Sequence, residues 1–234
     1  MIARDGWTFI LIGLVLTVVA LWAATRWDSR TLFGLAVLFA LLTLFVAYFF
    51  RDPERTAVRE PNVLLAPADG RIVLIDTLPS HPFVGPNTIQ VSIFLSIFDV
   101  HVNRIPVSGR INSVQYHAGK FMAAYHDKAS QENEQTEIGM TVDSGKQIAF
   151  KQIAGLIARR IVCRLNEGDR VNAGDRFGMI KFGSRVDLLM PSDTRLSVKT
   201  GDHVRGGETV MGYLSTSASL SSSTAVRGNV DGQL

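Results

Sequence analysis

The chain has 234 residues, 47% of them hydrophobic and 19% charged, with a formal net charge of +3. It is too apolar for an ordinary soluble domain, and its small positive balance, without a basic cluster interleaved with aromatics, excludes nucleic acid as an expected partner. The single cysteine, Cys163, permits no internal disulfide, which suits a reducing compartment.

The apolar excess lies at the amino terminus. Residues 6–25, GWTFILIGLVLTVVALWAAT, and residues 31–50, TLFGLAVLFALLTLFVAYFF, carry no charge, and each has the roughly 20 residues that a bilayer core demands. Trp7, Trp22, Trp27 and Tyr48 stand near the ends of these runs, where amphipathic rings meet lipid headgroups. A transmembrane helical hairpin is therefore expected over residues 1–50. A cleaved signal peptide is disfavoured, because no small-residue cleavage site stands out and a second span follows at once. Arg4 before the hairpin and Arg51, Arg55 and Arg59 after it outnumber Arg26 and Arg30 in its connection. Positive-inside counting puts the remaining chain on the cytoplasmic side of the cell membrane, against the inner leaflet, with anionic membrane lipids as neighbours.

Residues 51–63, RDPERTAVREPNV, are polar and contain two prolines, so they read as a linker. From Leu64 onward the chain breaks into short β-type runs separated by Gly, Pro, Asn and Asp: GRIVLID, TIQVSIFLS, GRINSVQYH, QIAFKQI, ARRIVCRL, FGMIKF, RVDLLM, RLSVKT and TVMGYL. None has a convincing helical period, so the fold class is mainly β over residues 64–213. Cys163 falls inside one such run and reads as a buried structural thiol rather than a nucleophile. GDRVNAGDRFGMI (residues 168–180) and GDHVRGGETVMGY (residues 201–213) echo each other. Their paired turns resemble those of biotinyl and lipoyl carrier modules, β sandwiches of the barrel-sandwich hybrid kind, and APADGRIV at residues 66–73 resembles the opening turn and strand of that architecture. The tail, residues 214–234, is Ser-rich without apolar periodicity and reads as disordered.

Three places carry candidate chemistry. In SIFLSIFDVHVNRIPVSG an apolar run meets Asp99, His101, Asn103 and Arg104 before Pro106, a polar cluster at a strand end where a β scaffold displays a site. Asp69 lies in the PADG turn, which favours Asp before Gly for local reasons alone. Gly183-Ser184 interrupts an alternating strand in KFGSRVD. Gly183 leaves its carbonyl open to close approach, and the Ser184 hydroxyl next to it is placed to attack that carbonyl, given a base. No strand-to-helix elbow surrounds Ser184, which disfavours a hydrolase triad.

Taken in order, APADG (66–70), FDVHVNRIPVSG (98–109), DKASQENE (127–134), GLIARRIV (155–162) and GMIKFGSRVD (178–187) resemble the phosphatidylserine decarboxylase family in its short membrane-anchored form. The resemblance implies a self-processing proenzyme cut between Gly183 and Ser184, whose two pieces, a β chain and an α chain beginning at the modified Ser184, stay associated. It implies a covalent pyruvoyl cofactor derived from Ser184, with no metal and no other organic cofactor. The pyruvoyl ketone would form a Schiff base with the amine of phosphatidylserine and absorb the electrons released with carbon dioxide, yielding phosphatidylethanolamine. A homodimer is compatible with it.

By position in the family pattern, Asp69 belongs to the self-cleavage relay and His101 is a base or proton donor. The chain departs from the longer bacterial form at Arg104, which stands where a second relay histidine is expected. A guanidinium cannot accept the serine proton, so either His101 serves both steps or Asp69 acts through water. Arg104, Asn103, Arg159 and Arg160 are candidates to hold the substrate carboxylate or phosphate. A different class of reading is a non-enzymatic membrane adaptor with a biotinyl-like β module. Such adaptors usually carry a long coiled-coil insertion, which this sequence lacks, and they need neither Ser184 nor His101.

Overall fold

The computed structural model describes residues 1–58, 60–119, 133–155, 161–180 and 184–215. Gly183, Arg159, Arg160, most of 127–134 and the tail from 216 lie outside the described residues.

The hairpin is present. Helix α1 spans Trp7–Arg26 and α2 spans Arg30–Phe49, separated by a tight turn in which Asp28 takes a positive φ of 46° and Ser29 caps α2 through Leu32 N. The helices approach closely where Gly13 faces Thr43, leaving no room for a Cβ. Both are long and apolar enough to cross a membrane, with mean hydropathy of 2.3 and 2.5. Their outer faces are bare, with Val18 64% and Leu44 66% exposed. Water would penalise that surface, whereas lipid matches it.

The rest is β, as expected. Its described strands are β1 (Val63–Leu65), β2 (Gly70–His81), β3 (Gly85–Leu95), β4 (Val102–Arg104), β5 (Gly109–His117), β6 (Gln135–Val142), β7 (Gln147–Ile153), β8 (Ile161–Cys163), β9 (Arg170–Val171), β10 (Arg176–Ile180), β11 (Ser184–Met190), β12 (Arg195–Leu196), β13 (His203–Val204) and β14 (Val210–Tyr213). They form an eight-stranded sheet in the order β13-β2-β3-β11-β7-β6-β5-β9 and two three-stranded sheets, β1-β14-β12 and β4-β10-β8. The eight-stranded sheet wraps one core with the smaller sheets: Ile72, Ile93, Ile111, Ile138, Phe150 and Val186 from the former meet Leu64, Phe177 and Met211 from the latter. β6 lies outside the runs picked out by alternation. Its inward Thr136, Ile138, Met140 and Val142 are buried, but Glu137 and Gly139 dilute the pattern.

The echo between residues 168–180 and 201–213 corresponds to repeated structure. Each copy begins with a glycine at positive φ, Gly168 at +92° and Gly201 at +96°, a conformation that costs an L side chain strain. Their amides donate to Ile111 O and Ile72 O, and the Ile111 and Ile72 amides return bonds to Asp169 O and Asp202 O. β9 and β13 therefore sit at opposite ends of the large sheet. The partners repeat too: Leu65 N donates to Pro106 O, and Arg104 N donates to Pro67 O.

Residues 52–58 lack regular structure but lie on the domain. Asp52 pairs with Arg104 and Arg176, Glu54 with Arg176, and Arg55 with Asp69. At the other end, Leu214 is buried in the core and its amide bonds to Asn62 O.

Candidate active site

Ser184 begins β11, pairing with Leu95 at the end of β3. Its side chain is wholly buried, and Oγ has no hydrogen-bond partner among the described residues. Side chains alternate along a strand, so Ser184 shares a face with Val186 and Leu188, both core residues. Arg185 and Asp187 take the other face, where Arg185 Nε donates to Asp187 Oδ1 at 2.6 Å, Nη2 donates to Ser92 Oγ at 2.6 Å, and Gln90 Nε2 donates to Asp187 Oδ2 at 3.0 Å. This buried network fixes the register of the strand that Ser184 heads.

His101 follows the turn that ends β3 and leads into β4. The neighbouring Val102 pairs with Met179 of β10, so the segment leaving β10 after Ile180 starts beside His101 and returns at Ser184. His101 is fully buried. Its Nδ1 lies 2.9 Å from Asp99 O, and because a carbonyl only accepts, Nδ1 carries the hydrogen and Nε2 keeps the lone pair. Nε2 has no partner. Burial pushes the imidazole down to about 4, against the weaker upward pull of the Asp99 carbonyl, so His101 is a neutral base at pH 7. Its cover comes from the apolar hairpin: the Phe49 ring lies 4.1 Å from the imidazole, centroid to centroid. Phe49, Phe50 and Ala3 pack with Val100, Val102 and Met179.

Asn103 accepts from Gln152 Nε2 through Oδ1 at 2.8 Å, linking β4 to β7. Its Nδ2 and the Gln152 Oε1 have no hydrogen-bond partner among the described residues. Gln152 pairs with Val186 and so projects from the same face as Ser184, one diagonal step away. An unpaired buried polar group is costly, and there are four such groups here: Ser184 Oγ and Gln152 Oε1 on adjacent strands of the large sheet, Asn103 Nδ2 on β4 bonded across to Gln152, and His101 Nε2 two residues before Asn103. Among them are a hydroxyl, a base, a donor and an acceptor. No hydrogen bond joins Ser184 to His101 in this structure. Gln152 was not singled out from sequence, although its inward place after Ile148 and Phe150 in QIAFKQI was a signal.

Asp69 and Arg104 are otherwise engaged. Asp69 is held by both Nη atoms of Arg55, with Nη2 at 2.7 Å from Oδ2, and by Gly206 N at 2.8 Å from Oδ1. Its charge favours the His101 imidazolium only weakly, behind burial, Asp99 and Arg51. Arg104 donates through Nη1 to Gly174 O at 3.0 Å and through Nη2 to Pro53 O at 2.9 Å and Asp52 Oδ1 at 3.2 Å, leaving only Nε unpartnered. Cys163 is half-buried in β8, and burial raises its thiol above the ordinary value. Among the described residues no cluster of His, Cys, Asp and Glu could hold a metal ion.

A family model described as phosphatidylserine decarboxylase matches residues 42–212. The match starts inside α2, so Phe49 falls within the shared region. The chain is similar to the phosphatidylserine decarboxylase proenzyme of Desulfotalea psychrophila, 45% identical over 213 residues that make up 91% of this chain and 96% of that protein. The proenzyme of Chlorobium phaeobacteroides is 54% identical over 173 residues, 74% and 80% of the two chains. That of Wolbachia pipientis is 44% identical over 218 residues, 91% of each. With its length and core covered by these matches, the chain belongs to the phosphatidylserine decarboxylase family and is a carboxy-lyase.

Proposed function

We propose that the chain is a self-processing decarboxylase that converts phosphatidylserine to phosphatidylethanolamine, using a pyruvoyl group made from its own Ser184. The observation that carries this reading is that the Ser184 hydroxyl and the lone pair of His101 Nε2 are both buried without a hydrogen-bond partner among the described residues. A serine kept dry without a hydrogen bond serves no structural purpose that an alanine would not serve better.

In the first stage Ser184 Oγ attacks the Gly183 carbonyl carbon while His101 Nε2 takes the hydroxyl proton. The bond from that carbon to Ser184 N breaks, the proton passes to the departing nitrogen, and an ester replaces the amide. Loss of a proton from Cα and departure of the Gly183 carboxylate leave a dehydroalanine. Water then hydrolyses it with release of ammonia, and the new amino terminus is a pyruvoyl group. Once formed, that group supplies a ketone that condenses with a primary amine and draws off the electron pair released as carbon dioxide departs. The product carbon takes the one proton that loss of a carboxylate as carbon dioxide consumes, and His101 Nε2 would relay it from solvent. Asp69 supports both stages by its charge, and Arg55 keeps that charge buried and oriented. Asn103 Nδ2 donates to the substrate carboxylate or phosphate, with Arg159 and Arg160 as further cationic candidates. Arg104 acts indirectly, by fastening the linker to the domain. The arginine asymmetry of the hairpin supports a catalytic domain on the cytoplasmic side of the cell membrane.

Intact-mass measurement tests the reading. The purified chain separates under denaturing conditions into two pieces, the smaller beginning at position 184 with a blocked terminus. Ser184→Ala yields one uncut chain without decarboxylase activity. An uncut wild-type chain that decarboxylates phosphatidylserine overturns the mechanism.

A further inference from the structure

Between β3 and His101 the chain makes a tight turn, closed by Asp99 N on Ser96 O at 3.0 Å and reinforced by Ser96 N and Oγ on Asp99 Oδ2 at 2.8 and 2.7 Å. Its two corner residues are Ile97 and Phe98. Exposed turn corners favour Gly, Pro, Asn and Asp, yet here they hold a β-branched aliphatic and an aromatic, 37% and 61% exposed. Nothing in the core requires them there.

The turn is fastened to the end of α2. Tyr48 Oη donates to Phe98 O at 3.3 Å and Arg51 Nη2 donates to the same oxygen at 2.6 Å, while the Arg51 guanidinium sits 4.0 Å from the Tyr48 ring centroid. A tyrosine followed by an arginine at the end of an apolar helix marks the depth of the headgroups. Phe98 therefore lies at that depth, alongside the bare face of the hairpin. On the other side, the carbonyl of Asp99 in this same turn sets the tautomer of His101.

We propose that the Ser96–Asp99 turn is a membrane contact, with Ile97 and Phe98 inserted among the headgroups and upper acyl chains of the bilayer that the hairpin spans, forming the doorway between leaflet and site. Its occupant is bilayer lipid, because the patch continues the lipid-facing surface of α2. The proposal rests on the spanning reading of the hairpin, and its activity arm rests on the decarboxylase reading.

The test uses the full chain in lipid vesicles. A nitroxide placed at Phe98→Cys in a Cys163→Ser background is compared with one at exposed Ser192→Cys, beyond the far end of β11 and more than about 20 Å away. The label at 98 collides preferentially with oxygen, and the label at 192 with an aqueous nickel chelate. Equal aqueous access at the two positions overturns the proposal. In the activity arm, Phe98→Asp is processed normally and acts on soluble short-chain phosphatidylserine at the wild-type rate, but loses about tenfold or more on vesicle phosphatidylserine. Equal losses on both substrates overturn it. A membrane-seated label in a chain without decarboxylase activity would sink the decarboxylase reading and leave the contact standing.

Discussion

The turn APADGRI at residues 66–72 and the turn IPVSGRI at residues 105–111 are the same device at opposite ends of one fold; their first and third residues stay aliphatic, and they differ in chemical kind at the fourth. Asp69 Oδ1 accepts from Gly206 N at 2.8 Å, and Ser108 Oγ accepts from Ala173 N at 3.0 Å. A neutral hydroxyl thus suffices to close this corner. The carboxylate at the first corner exceeds what folding requires and obliges Arg55, itself mostly buried, to neutralise it. The repeat contains its own control: what the two corners share is architecture, and what only one has points to chemistry.

Copying the second corner into the first breaks the comparison hardest. Asp69→Ser keeps the bond from Gly206 N and the far-ultraviolet circular dichroism of the native chain, while self-processing falls by about tenfold as the buried charge of this corner is lost. Native-rate processing would make the charge structural. Arg104→Leu performs the same exchange at the positions before the turns, where the first corner has Leu65. It frees Gly174 O and Pro53 O and leaves Asp52 to Arg176 alone, costing about 2 kcal/mol in denaturant unfolding.

The third prediction concerns the histidine. With His101 held near 4 by burial, processing stays flat from neutral pH downward and falls only as pH approaches that value. Phe49→Ala admits water, and the acid limb moves up toward the ordinary value near 6.5; Phe49→Tyr restores it. The linkage has the matching sign. An unfolded chain protonates this group below about 6.5 and the folded chain below about 4, so its contribution to stability is present above the upper value and is lost as pH falls between the two. An acid limb unmoved in Phe49→Ala removes Phe49 from the site. The smallest effect sharpens the comparison from the structural side: Gly168→Ala and Gly201→Ala each cost about 1 kcal/mol, nearly equally, because both residues hold the same positive-φ turn. Thermal midpoints that differ widely between the two would deny the equivalence.

The sequence made the hairpin plain because uncharged runs of bilayer length need no tertiary context, and it made most strands plain because GRIVLID or TIQVSIFLS alternate against a single core. β6 was obscured by Glu137 and Gly139 at its outward positions. The Gly-Asp echo was visible, whereas its partner echo in APADGRI and IPVSGRI became meaningful once Gly206 and Ala173 were seen donating to the fourth residue of each. Ser184 and His101 stood among the candidates on local chemistry, and the ordered set of family-like motifs set them apart, since a Gly-Ser pair or a strand-end histidine is commonplace. Phe49 had no local signal: within an apolar helix it looks like any lipid-facing aromatic, and its contact with His101 joins two regions that share no period.

Ser184 heads β11, which lies between β3 and β7, while β13 and β14 downstream close on β2 and β1. A nick just before Ser184 severs the polypeptide without opening any ladder. The shorter fragment would stay interwoven through two sheets, held by hydrogen bonds along its strands and by core residues such as Val186, Leu188 and Met211. Dilution alone would not part the fragments, because parting them means unfolding both. The proenzyme and its nicked product would then share one architecture and differ in the covalent state of the two residues at the nick.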